Sequence, residues 1–338
     1  MIVEMRTGAS KREVEGVVTK AKSLDLDVQL NRGTDKVVVA LLGSNTGQIP
    51  TDIFAVLPGV ESVTRIMKPY KLASREFKSK DTVVHIGDVD VGSKRIIVMA
   101  GPCAVENEKQ LMEAARVVKE AGATVLRGGA FKPRTSPFSF QGLALPGLRL
   151  LAKAREEYAI PIITEVVDPH DVGLVAEYAD ILQVGSRNMQ NFALLTQISK
   201  SRHPVVLKRG FSCTITEWLN AADYLLAHGN DNVILCERGI RTFEDSIRFS
   251  MDISAVAVLK KVSHLPLIVD PSHAVGHYDF VAPVARAAIA AGADGLLIEV
   301  HPNPKEALVD GLQSLTPGKF TDLMAELKPI AAAVGKTI

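Results

Sequence analysis

From Arg95 onward the chain repeats one unit eight times over about 240 residues: a short apolar strand core, then a helical stretch. The strand cores fall at 96–100, 124–126, 161–164, 181–184, 204–207, 233–235, 266–269 and 295–298, with helical segments such as 108–121 and 214–228 between them. Eight such units over that length predict an α/β chain closed into a (β/α)8 barrel. The rival is an open doubly wound sheet. No G-x-G-x-x-G follows the first strand, so a dinucleotide crevice is not indicated.

Residues 1–67 follow a different plan. A short strand at 2–5 precedes Ser10 and Glu13, whose spacing is that of a capping box, and the helix it opens carries Val14, Val17, Val18 and Ala21 on one face. Strands at 28–30 and 36–42 flank a polar turn. A short helix at 49–57 ends at Pro58-Gly59, and a last strand follows at 60–67. The βαββαβ order predicts a small α+β ferredoxin-like domain over 1–67. A basic stretch over 68–81, with Lys71, Arg75, Lys78 and Lys80 against Glu76, reads as a solvated linker. The barrel domain then occupies 82–338, led by a hairpin around Gly87-Asp88.

Thirty-nine Lys and Arg against 38 Asp and Glu leave a formal charge of +1, which gives no bulk argument for nucleic acid or an acidic membrane surface. The longest apolar stretch, 281–298, is broken by Arg286 and Asp294 and is too short and too charged for a membrane span. The first ten residues lack the basic lead and apolar run of a signal peptide. Cys103, Cys213 and Cys236 are odd in number and far apart, which favours free thiols over a disulfide framework. The expectation is a cytoplasmic protein with no membrane or nucleic-acid partner.

Barrel enzymes carry their reactive groups just beyond the C-terminal ends of the strands. Here those positions hold Cys103; Arg127, Lys132, Arg134 and Thr135; Glu165; Gln183 and Arg187; Lys208 and Arg209; Glu237 and Arg238; Asp270 and His273; and Glu299 and His301, with Asp310 beyond. Arg127, Lys132, Arg134, Arg187, Lys208 and Arg238 converging on one mouth would repel one another unless anions lie between them. Two phosphorylated substrates, one also a carboxylate, would answer that need. Cys103, His273, Glu299 and Asp310 combine one thiolate, one imidazole and two carboxylates from the first, seventh and eighth strand ends. That mixed set suits a divalent Mn, Fe, Co or Zn ion better than Mg or Ca. Taken singly, each of these residues is more often structural; their joint placement is what points to a site.

Several runs carry a resemblance: Ala-Gly-Pro-Cys at 100–103, Leu-Arg-Gly-Gly-Ala-Phe-Lys-Pro-Arg-Thr-Ser at 126–136, Gly-Ser-Arg-Asn at 185–188, Leu-Lys-Arg-Gly at 207–210, Cys-Glu-Arg-Gly at 236–239 and Asp-Pro-Ser-His at 270–273. The chain resembles the 3-deoxy-D-arabino-heptulosonate 7-phosphate (DAHP) synthases, in the branch that shares its core with 3-deoxy-D-manno-octulosonate 8-phosphate synthase. Residues 1–67 resemble the ferredoxin-like regulatory domain fused to some members.

The resemblance implies the first step of the shikimate pathway to aromatic amino acids, in which phosphoenolpyruvate and erythrose 4-phosphate condense and phosphate leaves. It implies that Cys103, His273, Glu299 and Asp310 hold one divalent metal ion. Arg127, Lys132, Arg187, Lys208 and Arg238 would grip phosphoenolpyruvate, and Lys132, Pro133, Arg134 and Thr135 would reach the aldose phosphate. Ser186 stands where the family usually has Ala, with its backbone N–H still available. Lys132 is the candidate proton donor to the new hydroxyl, and Glu237 the candidate for positioning water. Also implied are a homotetramer or other homo-oligomer and feedback by tyrosine or phenylalanine. The sibling enzyme, which uses arabinose 5-phosphate, usually reads Lys-Ala-Asn-Arg-Ser where this chain has Lys-Pro-Arg-Thr-Ser. The proline stiffens the loop, and the earlier arginine favours the shorter sugar. A non-catalytic metabolite sensor is the remaining reading, and the complete metal set speaks against it.

Overall fold

The computed structural model describes residues 1–33, 36–43, 46–65, 69–133 and 136–338. The chain divides into two compact units: Met1–Lys80 together with Val262–His264, and Asp81–Lys261 together with Leu265–Ile338.

In the first unit, β1 (Ile2–Met5), β2 (Asp27–Arg32), β3 (Val37–Leu42) and β4 (Val60–Thr64) form an antiparallel sheet in the order β2-β3-β1-β4. Helix α1 (Lys11–Lys22) starts at Ser10, whose hydroxyl accepts from the Glu13 backbone N–H, while the Glu13 carboxylate accepts from the Ser10 N–H at 2.7 Å. Val14, Val17 and Ala21 of α1 meet Val3, Met5, Val39, Leu41 and Phe54 in one core. The second helix, α2, is shorter than the sequence suggests, covering only Asp52–Ala55; Thr51 gives it no side-chain cap, and Pro58-Gly59 lies just beyond. β4 ends at Thr64, while the expected last residues of that strand, 66 and 67, lie outside the described residues. The stretch read as a solvated linker is instead buried at Tyr70, Leu72, Ala73 and Phe77, because apolar residues alternate with its lysines.

The second unit is a barrel. Among the described residues, β7 (Ile97–Gly101), β8 (Val125–Arg127), β9 (Ile162–Glu165), β10 (Ile181–Val184), β11 (Val205–Lys208), β12 (Val233–Glu237), β13 (Leu267–Val269) and β14 (Gly295–Glu299) pair in parallel and close through β14 and β7. Helices α3 (Glu108–Glu120), α4 (Leu145–Tyr158), α5 (Val172–Tyr178), α6 (Phe192–Ser201), α7 (Ile215–Ala227), α8 (Ile253–Val262), α10 (Tyr278–Ala290) and α11 (Pro317–Ala333) follow the strands, with a short α9 (Pro271–Val275) directly after β13. Inside the barrel, Ile97, Met99, Val125, Ile163, Ile181, Val206, Ile234, Ile268 and Leu297 form a continuous apolar filling. The hairpin of β5 (Val84–Ile86) and β6 (Val89–Val91) adds Val84, Ile86 and Val91 to it. Cys236 belongs to this filling and is a free, fully buried thiol; Cys213 is free and half-buried. Most strands run one or two residues beyond the apolar cores. The final residues of β8, β11, β12 and β14 are Arg127, Lys208, Glu237 and Glu299, each at most 4 % exposed.

Candidate active site

Charged residues usually terminate a strand, yet here four of them continue one into the barrel mouth. Burial of a charge is tolerated when it is paired and hydrogen-bonded, and each of these four is. Arg127 Nη1 donates to Oε1 of Glu299 at 2.7 Å, Lys208 Nζ to Oδ2 of Asp270 at 2.6 Å, and Arg209 Nη1 to Oε2 of Glu237 at 2.8 Å.

The Asp-Pro-Ser-His run is a helix start. Asp270 caps α9, its Oδ1 accepting from the His273 backbone N–H at 2.9 Å, and Pro271 takes the first helical position, where no N–H is needed. The cap turns the His273 ring into the mouth, with Nε2 3.2 Å from Oε1 of Glu299. Nδ1 lies 2.7 Å from Oδ2 of Asp270 but off the direction of a hydrogen bond. Ser272 fixes the end of β14 by accepting from the Glu299 N–H at 3.0 Å. In Ala-Gly-Pro-Cys, Gly101 has φ +149°, and a Cβ there would sit 2.2 Å from the Arg127 carbonyl oxygen; only glycine lets the two strand ends approach and bring Cys103 inward. Cys103 Sγ lies 3.3 Å from Oδ2 of Asp310. The donor atoms of Cys103, His273, Glu299 and Asp310 all lie within 4.8 Å of one another. A thiol, an imidazole and two carboxylates at that spacing fit a divalent transition ion.

Electrostatics hold the set ready. Burial alone would raise the Glu299 carboxyl, but His273, Arg127 and Lys132 outweigh it and bring the pKa down to about 2. Burial would likewise raise Asp270, and His273 and Lys208 pull it well below the ordinary carboxylate range. His273 is shifted down by burial, against the pull of Asp270 and Glu299, and stays neutral. Burial, reinforced by Glu299, pushes the Cys103 thiol up, so it is protonated in the metal-free chain. Burial works against the Lys132 charge, the carboxylates of Glu165 and Glu299 oppose that effect, and its pKa is raised. Its Nζ donates to the Cys103 carbonyl at 3.1 Å and lies 3.2 Å from the sulfur.

Beside this set opens a pocket lined by Lys132, Pro133, Ser186, Arg187, Lys208 and Arg238, with His273 and Asp310 on its wall. The cations expected to converge therefore do, apart from Arg127, which is turned to Glu299 beneath, and Arg134, which like Thr135 lies outside the described residues. Arg238 is packed over Phe249, 4.1 Å from the ring centroid, and over Phe211 at 4.9 Å. One of its nitrogens, Nη2, donates to the His273 carbonyl at 3.1 Å; the other, Nη1, is buried with no partner among the described residues. Burial brings its pKa down to about 10, still charged at neutral pH. The Ser186 hydroxyl is also buried and unpartnered among the described residues. Two unsatisfied groups on one wall are where an anion's oxygens would bind.

Glu237 is not on that wall. Its Oε2 takes Arg209, its Oε1 takes the Gly239 N–H at 2.7 Å, and it is fully buried. It braces the end of β12 with both oxygens engaged and none exposed, and it does not line the pocket where the sequence expectation put it beside water. Besides Asp310 of the donor set, the carboxylate that lines the pocket is Glu165, which accepts from Gln183 at 3.3 Å. Sequence reasoning placed Glu165 at a strand end but gave it no role. Arg248 and Phe211, also on the wall, carried no sequence signal: Phe211 is an apolar ring just past the end of β11, and Arg248 lies deep in the loop after β12.

Residues 76–334 match the DAHP synthetase I family, and residues 1–68 match the DAHP synthase ferredoxin-like domain. The phospho-2-dehydro-3-deoxyheptonate aldolase of Thermotoga maritima is 48% identical over 335 residues, 99% of each chain. Its crystal structure superposes with a TM-score of 0.80, covering 99% of this chain and 98% of that one, and a truncated form of the Thermotoga enzyme covers 79% of this chain with a TM-score of 0.75. A 2-dehydro-3-deoxyphosphooctonate aldolase of Desulfotalea psychrophila is 33% identical over 266 residues, 73% of this chain and 94% of that one.

Proposed function

The chain belongs to the DAHP synthetase I family, and from that premise we propose that it condenses phosphoenolpyruvate with erythrose 4-phosphate and water to give DAHP and inorganic phosphate. The observation that carries the reading is a single pocket walled both by two members of a four-donor set, His273 and Asp310, and by Lys132, Arg187, Lys208 and Arg238. Cys103, His273, Glu299 and Asp310 would hold one divalent Mn, Fe, Co or Zn ion, which when bound supplies Lewis acidity toward a carbonyl oxygen.

The chain's own residues do the rest. Arg238, with its free Nη1, together with Ser186, Arg187 and Lys208, holds the phosphate and carboxylate of phosphoenolpyruvate. Arg127 keeps Glu299 oriented from below. Lys132, held protonated at the border of the two subsites, delivers a proton to the hydroxyl formed when C3 of phosphoenolpyruvate joins the aldehyde carbon. Pro133 lines the pocket, and with Arg134 and Thr135, the next two residues in sequence, it is assigned to the aldose phosphate. Water adds at C2 with Glu165 taking its proton, and the hemiketal phosphate then collapses: the C2–O bond to phosphate breaks as the C2 hydroxyl gives up its proton, leaving the ketone and inorganic phosphate, which carries that proton away.

The full-length identity to the Thermotoga enzyme supports this reading over the octulosonate sibling, since the Desulfotalea octulosonate aldolase matches 73% of the chain. The match over residues 1–68 supports feedback by tyrosine or phenylalanine through the small domain, and a homotetramer or other homo-oligomer is part of the same proposal. No described helix is long and apolar enough to cross a membrane, which accords with the proposed cytoplasmic setting. The deciding experiment measures phosphate release with erythrose 4-phosphate and with arabinose 5-phosphate, before and after chelation. Strong preference for the four-carbon sugar, lost on chelation and restored by a divalent ion, is the expected result; comparable kcat/KM for both sugars, or full turnover without metal, overturns it.

A further inference from the structure

One amide joins the anion pocket to the donor set. Gln313 is buried, 2 % exposed, in the loop beyond β14. Its Nε2 donates to Oε2 of Glu299 at 2.6 Å, and its Oε1 accepts from Arg248 Nη1 at 2.9 Å. An amide can do this in only one of its two flips, since a carboxylate accepts and a guanidinium donates. Arg248 therefore fixes which end of Gln313 meets Glu299. Arg248 is itself anchored: its backbone N–H donates to the Val275 carbonyl, and its Cβ fills the space above Gly276, where φ is +72° and an added Cβ would stand 2.6 Å away. Its guanidinium also reaches Oδ1 of Asp310 at 3.4 Å and lines the pocket.

Glu299 is thus held from two sides. Oε1 faces Arg127 and His273, and Oε2 is occupied by Gln313. We propose that Gln313, oriented by Arg248, is a positioning residue that reserves Oε2 of Glu299 and leaves only Oε1 to the metal. The proposal rests on the metal reading of the four-donor set and goes beyond it by assigning how one carboxylate is made to bind through a single oxygen. Without Gln313, Oε2 would be buried and unpartnered, and Glu299 would turn either to chelate through both oxygens or away from the set. Hydrogen bonds to ligating carboxylates from a surrounding shell act on metals in this way, and their loss typically weakens binding about ten- to a hundredfold.

The test uses the full-length chain stripped of metal, with cobalt(II) as the probe. It reads the dissociation constant by competition with a chromophoric chelator, and the coordination from the visible d–d bands. Gln313→Leu is expected to weaken cobalt binding about ten- to a hundredfold and to change band intensity. Gln313→Met, which keeps about the same volume and adds no charge but has no N–H to donate to Glu299, is expected to do the same and keeps the test decisive if the leucine variant does not fold. Arg248→Leu should weaken binding in the same direction and, because Arg248 also touches Asp310, the double variant should lose less than the sum of the two single losses rather than only one of them. Wild-type affinity and bands in both Gln313 variants overturn the proposal while leaving the metal reading intact; additive losses overturn the role given to Arg248. Failure of the unaltered chain to bind cobalt at all overturns the metal reading and this inference with it.

Discussion

Arg209 and Glu237 form a buried ion pair, Nη1 to Oε2 at 2.8 Å, with the arginine side chain 6 % exposed and the carboxylate not exposed at all. A second carboxylate, Asp252, reaches the same Nη1 at 2.9 Å. The Arg209 Nε donates to the Cys213 carbonyl, so the pair ties the end of β12 to the loop after β11. This is a brace behind the pocket wall, and it separates two carboxylates that look alike in sequence.

Glu237→Gln and Glu165→Gln should therefore fail in different ways. Loss of the Glu237 charge leaves Arg209 half-compensated in a buried site, and breaking such pairs costs about 3–5 kcal/mol. The expected readout is a lower denaturation midpoint. Glu165→Gln should leave stability near wild type and lower kcat by about 10²- to 10⁴-fold, the range for loss of a general acid or base, with little change in KM for phosphoenolpyruvate. Denaturant melts and steady-state kinetics on both variants check this; the reverse pattern would return Glu237 to the chemistry.

Arg238→Lys should raise KM for phosphoenolpyruvate by about 10- to 100-fold, the value of a hydrogen bond to a charged group at about 1.5–3 kcal/mol. Lysine keeps the charge but loses the fork that serves the His273 carbonyl with one nitrogen and leaves the other free, and it loses the flat face over Phe249. KM for the aldose phosphate should move little. If the aldose constant moved instead, the division of the pocket between the two substrates would be wrong.

Metal binding should release a proton. In the metal-free chain burial raises the Cys103 pKa, while a metal takes the thiolate; His273 is already neutral and Glu299 already ionised. Below the raised thiol pKa, each ion bound displaces one proton. Affinity should then climb by about tenfold per unit as pH rises through neutrality and weaken as pH falls. Titration calorimetry in two buffers of different ionisation enthalpy measures the proton count directly. Cys103→Ser should abolish the release and weaken binding; a pH-independent affinity in the unaltered chain would contradict the assignment.

Residues 1–67 should carry the inhibition. Tyrosine or phenylalanine is expected to inhibit the full chain at up to millimolar concentration, while a chain beginning near Thr82 should turn over without responding. Such a chain keeps the β5–β6 hairpin, whose Val84, Ile86 and Val91 belong to the barrel filling. Inhibition curves of the two forms decide the matter, and equal curves, or none, would leave the small domain a packing module.

The barrel was legible because its strands are the apolar part of a regular repeat, and a closed parallel barrel needs little else. What was misjudged was their length. Arg127, Lys208, Glu237 and Glu299 look like loop residues by charge, and only the pairing across the mouth explains their burial as the last residues of strands. The same pairing hid the role of Glu237: a carboxylate two residues before a glycine reads alike whether it meets water or Arg209. Cys103, His273, Glu299 and Asp310 were legible because they are a thiol, an imidazole and two carboxylates, ligand types whose chemistry shows even from separate strand ends and loops. Arg248, Phe211 and Gln313 were not, since nothing in local spacing reveals which loop folds back over which strand.

The closure of the barrel through β14 and β7 has a consequence for how the protein is made. Glu299 sits opposite Gly101 in that pairing, two residues from Cys103, yet the two halves of the seam leave the ribosome at opposite ends of synthesis. A nascent chain halted before its eighth strand presents a thiol and an imidazole that share no cage, and the first strand waits with one edge open for nearly the whole of translation. At the proposed metal site, ion capture would in this sense be a proofreading signal, because the four donors come together only in a ring-closed molecule.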